Sequence, residues 1–205
     1  MTDVEALLEA PAHVVGCSLG GRVALELAVR RPDLVAGLVL IAPGLPGWDW
    51  SAQTRAEWAS EAVAYERGDD AAAAEASLRL WVDGPRRTAA DVDEAIRDGV
   101  RAMVLRSYEL ERQATERGST EAPILDPPVA ARLGEIRCPT LVVVGDEDVP
   151  DMQAIAAHVA RSIDGARLVS IARAAHLPSL ERPDDVNAHL LAFLRDEVAE
   201  GRATG

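Results

Sequence analysis

The sequence predicts an α/β fold with a mostly parallel sheet, and three observations support this class. Short apolar runs alternate with helical patterns along the chain, as in βαβ crossovers. The runs at residues 38–42 and 141–144 are apolar at every position, which is typical of parallel strands covered on both faces. A Gly-rich turn follows the first strand and leads directly into a helix. Together these features predict a sheet with helices packed on both sides.

The elements follow a regular order from the N-terminus. A short helix reaches Ala10 and is ended by Pro11. The predicted strands cover residues 13–17, 38–42, 141–144 and 167–171, and the predicted core helices cover residues 22–30, 152–163 and 184–197. Each strand is thus followed by a helical segment, which places the carboxyl ends of the strands at one edge of the sheet.

One block of the sequence interrupts this alternation. Between residues 44 and 134 no strand pattern occurs, and residues 51–66, 69–81 and 91–116 read as helices. We therefore predict a core of residues 1–43 and 135–205 and a helical lid of residues 44–134. A helical insertion between parallel strands should lie over the carboxyl edge of the sheet, where ligands bind in α/β folds.

Composition and charge narrow the range of partners. The formal net charge of −13 repels phosphate backbones and anionic lipids, so the sequence predicts neither a nucleic-acid nor a membrane partner. The N-terminus has no basic segment followed by an apolar one, and no apolar run has the length of a membrane span, so we expect a cytoplasmic protein. Cys17 and Cys138 have no metal-type spacing, and small buried thiols are expected.

The Gly-rich turn carries the first chemical signal. Residues 16–20 read Gly-Cys-Ser-Leu-Gly and match G-x-S-x-G, a pattern that chance would give in roughly one chain of this length in fifteen. Here the pattern follows an apolar strand and opens a helix, which is the setting of a nucleophilic serine on a strained turn. Gly16 and Gly20, with Gly21, should leave room for the close approach of strand and helix. Ser18 is therefore the candidate nucleophile.

A serine hydroxyl needs a base, and the base needs a partner that fixes its tautomer. His176 follows the last predicted strand, whereas His13 begins the first strand and His158 and His189 lie within helices. The position of His176 therefore favours it as the base.

The partner of the base should be a carboxylate. The acidic loop after the strand at residues 141–144 offers several, and we favour Asp148 with Asp146 and Asp151 as alternatives. The resulting chain order is Ser, Asp, His, the order found in α/β-hydrolases.

These segments resemble the matching parts of the α/β-hydrolase superfamily, above all the group with 3-oxoadipate enol-lactonases and carbon–carbon bond hydrolases. The resemblance is carried by residues 12–21, 138–148 and 175–183, and it covers nearly the whole chain, weakly in the lid. It implies an α/β-hydrolase fold with Ser18 as nucleophile, Asp148 as acid and His176 as base. It also implies that the backbone N–H of Leu19 is an oxyanion donor.

The resemblance also implies that the sequence lacks early elements of the family. Family members have further strands before the serine turn and a Gly-rich loop that supplies the second oxyanion donor, and neither is found before Ala12. We therefore expect the first strand to be an edge strand. Loss of one oxyanion donor lowers turnover by roughly 10²–10³.

The sequence thus predicts a serine hydrolase that acts on a small ester or lactone through an acyl-enzyme, without metal or cofactor. The open alternatives are a truncated, non-catalytic hydrolase-like protein and a perhydrolase or acyltransferase with the same three residues. Serine at the turn argues against dehalogenase chemistry, and the turn has neither a dinucleotide-binding nor a P-loop pattern. The lid carries Trp50, Trp58, Trp81 and Met103, of which Trp81 is the best candidate for lining a substrate pocket. Oligomeric state is not predicted.

Overall fold

Four parallel strands form the sheet of the computed structural model, which describes residues 2–118 and 125–203. In spatial order the strands are β1 (Ala12–Cys17), β2 (Val35–Ile41), β3 (Thr140–Gly145) and β4 (Arg167–Ile171). The predicted fold class is therefore confirmed, and the predicted strands match the observed ones to within a few residues. Within the predicted lid of residues 44–134, residues 119–124 lie outside the described residues.

Eight α-helices connect and cover the strands of the described chain. They are α1 (Thr2–Ala6), α2 (Leu19–Arg30), α3 (Ala52–Glu66), α4 (Asp70–Leu78), α5 (Glu94–Glu116), α6 (Pro150–Ser162), α7 (Pro178–Glu181) and α8 (Pro183–Ala203). A π-helical turn at Arg79–Asp83 extends α4. Among the described residues, none of these helices is long and apolar enough to cross a membrane.

Several helix ends differ from the prediction, and α8 continues past the predicted residue 197 to Ala203. At three of these ends, local hydrogen bonds end or widen the helix. The first helix stops at Ala6, where the N–H groups of Leu7 and Leu8 bond carbonyls three residues back in a tighter turn. The helix predicted to reach Trp81 leaves α geometry after Leu78 and continues as the π turn. The helix predicted from residue 91 begins only at Glu94, because the Asp93 carboxylate caps it by accepting from the N–H of Ala95 at 2.8 Å.

The core divides into two layers because side chains of a strand alternate between the faces of the sheet. On one face, Leu38 and Leu40 of β2 pack with Val142 of β3 against α2 and α6. On the other face, the layer includes Val39, Ile41, Leu141, Val143, Ile171, Val186 and Phe193, the last two from α8. The two central strands are thus buried on both sides, as their unbroken apolar sequences predicted.

β1 lies at one edge of the sheet, next to β2 alone among the described strands. Its Val15 side chain is 49% exposed, and Leu19, just after it, is 67% exposed. The outer edge of the strand therefore presents backbone groups and apolar surface.

The described residues between β2 and β3 include three α-helices with their own small core. Ala73 and Ala74 of α4 pack with Tyr108 of α5, and the Tyr108 hydroxyl donates to Glu61 of α3 at 2.7 Å. The buried Arg97 of α5 donates to the carboxylate of Asp83 in the π turn at 3.0 Å. These contacts join the three helices into one layer. We call the described part of residues 44–134, which holds these helices, the helical insert.

Candidate active site

Ser18 occupies a strained turn between β1 and α2. Its φ of 51° and ψ of −113° lie in a region that residues with a side chain rarely adopt. Backbone hydrogen bonds hold it there: its N–H donates to Ile41 at 2.9 Å, and its carbonyl accepts from Arg22 at 3.1 Å and Gly44 at 3.0 Å. Because three separate segments fix this backbone, the hydroxyl is held at the carboxyl edge of the sheet.

Of the glycines beside Ser18, Gly16 and Gly21 are required by space and Gly20 is not. A Cβ at Gly16 would lie 2.3 Å from the carbonyl oxygen of Gly20, and one at Gly21 would lie 2.8 Å from Cα of Pro43. A Cβ at Gly20 would meet nothing within 4 Å, so the prediction that Gly20 makes room for the turn is wrong. What Gly20 contributes to the close approach is its carbonyl, which fills the space that Gly16 leaves.

This difference predicts opposite outcomes for two alanine substitutions. Gly16→Ala should destabilise the fold by about 3 kcal/mol or more, because the atoms it meets are backbone and cannot rotate away. Gly20→Ala should leave stability unchanged or raise it by up to about 1 kcal/mol, since alanine loses less backbone entropy in a helix. Urea unfolding of the two variants beside the parent measures both effects, and equal losses would contradict the steric argument.

His176 lies between Ser18 and Asp148 in a chain of hydrogen bonds. Its Nε2 is 2.8 Å from the Ser18 Oγ, and its Nδ1 is 3.0 Å from Oδ2 of Asp148. Asp148 is fully buried and His176 is 5% exposed. The structure therefore brings together the three residues that the sequence singled out. Along the chain, Asp148 lies 130 residues after Ser18, and His176 lies 28 residues after Asp148.

The partners of the imidazole fix its tautomer. A carboxylate accepts hydrogen bonds, so we assign the ring proton of His176 to Nδ1, which faces Asp148 at 3.0 Å. Nε2 is then free to accept from the Ser18 hydroxyl. The other carboxylate oxygen of Asp148 accepts from the N–H of Val149 at 2.8 Å, which holds the carboxylate in place.

The neighbouring acids of the same loop have other partners. Asp146 accepts from the N–H of Arg173 at 2.7 Å, and Glu147 pairs with Arg86 at 2.9 Å. Asp151 accepts from the N–H and the hydroxyl of Ser51, at 3.0 and 2.6 Å. Of the three acids considered from sequence, Asp148 is thus the one beside His176, while Asp151 joins α6 to the helical insert.

Partial burial alone would raise the pKa of Asp151, but hydrogen bonds from Ser51 and Thr54 outweigh it and hold the pKa below its usual value. A carboxylate with a lowered pKa stabilises the fold at any pH above its pKa in the unfolded chain. This stabilisation is lost as the pH falls through the pKa of the carboxylate in the folded protein. Asp151→Ala should therefore cost about 2–3 kcal/mol at pH 7. Below about pH 4, the difference in the free energy of unfolding between Asp151→Ala and the parent should shrink.

Urea unfolding between pH 7 and pH 3.5 measures this dependence. Asp49→Ala is the matched control, because that carboxylate is 95% exposed and its ion pair with Arg55 is also exposed. Its substitution should change stability by less than about 0.5 kcal/mol. A cost for Asp151→Ala that stays constant down to pH 3.5 would contradict the assigned role of the carboxylate.

The loop that carries His176 is held by contacts that the sequence analysis missed. The His176 N–H donates to the carbonyl of Trp81 at 3.2 Å, and the N–H of Ala175 donates to the Glu181 carboxylate at 2.8 Å. Glu181 also pairs with Arg87 of the insert at 2.6 Å. A Cβ at Gly145 would lie 2.1 Å from the carbonyl of Ala174, so this loop packs directly onto the end of β3. Glu181, the last residue of α7, is the one charged residue of that helix and was the sequence signal for these contacts.

A pocket of about 330 Å³ opens at Ser18 and His176. Its walls include Leu19, the first residue of α2, and Trp81, the candidate that the sequence named. Trp50 and Trp58 also line it, whereas Met103 is 61% exposed on α5. A larger cavity of about 540 Å³ lies between the insert and Pro150, and its described lining includes neither Ser18 nor His176.

The other histidines lie away from the Ser18 hydroxyl, whereas Cys17 directly precedes Ser18 in the chain. His13 makes an edge contact with Phe193, His158 packs against Trp48, and His189 is exposed on α8. Burial, with the nearby charge of Asp148, raises the pKa of the Cys17 thiol to about 11, which keeps it protonated at neutral pH. Among the described residues, no group of three or more His, Cys, Asp or Glu side chains could hold a metal ion.

Comparison with known proteins agrees with the fold. Over residues 1–189 the chain matches the model of the alpha/beta hydrolase family. A pimeloyl-[acyl-carrier protein] methyl ester esterase of Neisseria meningitidis serogroup B is 30% identical over 203 residues, which cover 97% of this chain and 72% of that protein.

Two solved structures extend the comparison. MenH from S. aureus superposes with a TM-score of 0.72 at 21% identity, covering 96% of this chain and 72% of its own. The enol-lactonase from Burkholderia xenovorans LB400 superposes with a TM-score of 0.68 at 26% identity, covering 94% of this chain and 70% of its own.

The chain has a parallel sheet, a serine on a strained turn after its first strand, and loops that meet at the carboxyl edge of the sheet. These features are typical of the hydrolase class of α/β proteins. The chain belongs to the alpha/beta hydrolase family.

Proposed function

We propose that this protein is a serine hydrolase that cleaves a small ester or lactone through an acyl-enzyme. The observation that carries the proposal is the hydrogen-bonded chain from Ser18 through His176 to Asp148, with distances of 2.8 and 3.0 Å, at the floor of an open pocket. The names of two similar proteins, a methyl ester esterase and an enol-lactonase, support the same substrate class.

In the proposed reaction, the Ser18 Oγ attacks the carbonyl carbon while its proton passes to Nε2 of His176. The carbonyl oxygen becomes an oxyanion, and the backbone N–H of Leu19 donates to it. This N–H is suited to the role because the first N–H groups of a helix have no acceptor within the helix. The protonated imidazole is stabilised by Asp148 and gives its proton to the leaving oxygen.

The second half of the reaction repeats these steps with water. His176 takes a proton from water, the hydroxide attacks the acyl carbon, and the Ser18 Oγ leaves with the proton that His176 returns.

We further propose that residues 44–134 act as a lid, which is supported by the tryptophans that the insert contributes to the pocket. The cytoplasmic location stays a prediction.

Labelling with a fluorophosphonate tests the proposal directly. The Ser18 Oγ should displace fluoride from phosphorus, so that intact mass spectrometry shows one added phosphonyl group and peptide mapping places it on Ser18. The label should be absent from Ser18→Ala and from protein unfolded before labelling. A parent protein that stays unlabelled, or that is labelled equally on other serines, would overturn the proposed nucleophile.

A further inference from the structure

Three tryptophans form a continuous aromatic surface along the pocket, which we call the aromatic wall (Trp50, Trp58 and Trp81). The Trp81 and Trp58 ring centroids are 6.1 Å apart, and those of Trp58 and Trp50 are 4.6 Å apart. All three are half-buried and line the same pocket as Ser18. They come from a loop, α3 and the π turn, so their meeting depends on how the insert folds.

The wall lies on the histidine side of the pocket. The Trp81 ring packs on the His176 imidazole with centroids 4.5 Å apart and planes 40° from parallel. The Leu19 N–H, by contrast, lies at the start of α2 beyond Ser18. If the proposed function holds, His176 protonates the leaving oxygen, which must therefore sit beside Nε2. The group attached to that oxygen then extends along Trp81 towards Trp58.

The chemistry of the wall favours an aromatic, uncharged group. Tryptophan faces attract other rings in offset or edge-to-face contacts beyond their buried area. The rest of the lining includes Leu45, Pro46 and Met152, which are apolar. The Nε of Arg22, which also lines the pocket, already donates to the buried Glu26 at 3.0 Å. A volume of about 330 Å³ holds one ring with a short acyl group.

We propose that the physiological substrate is an uncharged ester whose leaving alcohol carries an aromatic ring, with the ring held against the aromatic wall. This inference rests on the proposed function, because it uses the step in which His176 protonates the leaving oxygen. It assigns the alcohol side of the ester to the aromatic wall and the acyl side to the part of the pocket near Leu19.

Two isomeric esters separate the alcohol side from the acyl side. Benzyl acetate carries its ring on the alcohol, and methyl phenylacetate carries the same ring on the acyl group. After division by the rate of hydroxide hydrolysis of each ester, kcat/KM should favour benzyl acetate by roughly tenfold. Cyclohexylmethyl acetate, of similar shape, should fall below benzyl acetate if aromatic contact matters.

Variants of the aromatic wall test whether the preference for benzyl acetate depends on its tryptophans. Trp58→Ala should bring the two isomers to nearly equal kcat/KM, and Trp58→Phe should restore most of the difference. Trp48→Ala is the matched control, since that ring packs on His158 and is not among the described residues that line the pocket, and it should leave the preference unchanged. A parent enzyme that prefers methyl phenylacetate, or a preference unchanged in Trp58→Ala, would overturn the inference.

A binding measurement separates failure of this inference from failure of the proposed function. If neither ester is hydrolysed, the hydrolytic proposal fails for such esters, and isothermal titration of Ser18→Ala with both isomers decides the inference. Tighter binding of benzyl acetate, weakened by adding Trp58→Ala, would support the aromatic wall as its site. Equal dissociation constants for the two isomers would refute it.

Discussion

Replacement of Ser18 with alanine is expected to lower kcat for p-nitrophenyl acetate by about 10⁴–10⁶-fold. The substitution removes the Oγ that lies 2.8 Å from Nε2 of His176, and no acyl-enzyme can form without it. Because the strained backbone is fixed by bonds to Ile41, Arg22 and Gly44, the turn should keep its shape. The loss should therefore fall on kcat, with KM changed little.

Burst kinetics and urea unfolding together measure this effect. The parent should release a burst of p-nitrophenol equal to the enzyme concentration if deacylation is slow, whereas Ser18→Ala should release none. Ser107→Ala is the matched control, because that hydroxyl is exposed on α5 and donates to the Val104 carbonyl. Hydrolysis that is equal in the parent and in Ser18→Ala would mean that the serine does not attack the ester.

Strand order was sufficient to predict that Ser18 and His176 meet beside an acid of the loop after β3, whereas the choice of Asp148 among those acids rested on the family resemblance. In a parallel sheet, residues that follow the strands meet at one edge whatever their separation along the chain. The apolar runs that mark β2 and β3 are strong local signals. The residues that follow them can be assigned to the carboxyl edge of the sheet without knowledge of loop geometry. For this reason a separation of 158 residues between Ser18 and His176 did not hinder the prediction.

The contacts of the helical insert could not be predicted in the same way. Asp151 meets Ser51 across 100 residues, and nothing in either local pattern indicates the other. Trp81 was named as a pocket residue, but its carbonyl bond to His176 depends on the π turn, which widens the helix after Leu78. Neither helical periodicity nor residue type distinguishes such a turn from a continuing α-helix.

Steric requirements were also only partly visible in sequence. A G-x-S-x-G pattern treats both glycines alike, yet only Gly16 faces backbone atoms and Gly20 faces open space in the described structure. Which glycine is needed follows from the direction of each missing Cβ, and that direction is a property of the assembled turn. The roles of the acidic loop residues separate for the same reason, because each carboxylate points to a different element.

Asp148→Asn is expected to lower kcat by about 10⁴-fold while stability and KM change little. The carboxylate accepts from Nδ1 of His176 at 3.0 Å and thereby holds the proton on that nitrogen. An amide at this position can donate its N–H to Nδ1, which moves the imidazole proton to Nε2. Nε2 then faces the Ser18 hydroxyl as a donor and cannot take its proton.

Asp146→Asn provides the control for this prediction, since it makes the same chemical change two positions away. Its carboxylate accepts from the backbone N–H of Arg173 at 2.7 Å, and an amide oxygen can make the same bond. Activity should therefore stay within about threefold of the parent. If Asp146→Asn is the slower variant, Asp148 is not the partner that fixes the tautomer. If both variants keep full activity, His176 works without a carboxylate, and the proposed mechanism would lose its third residue.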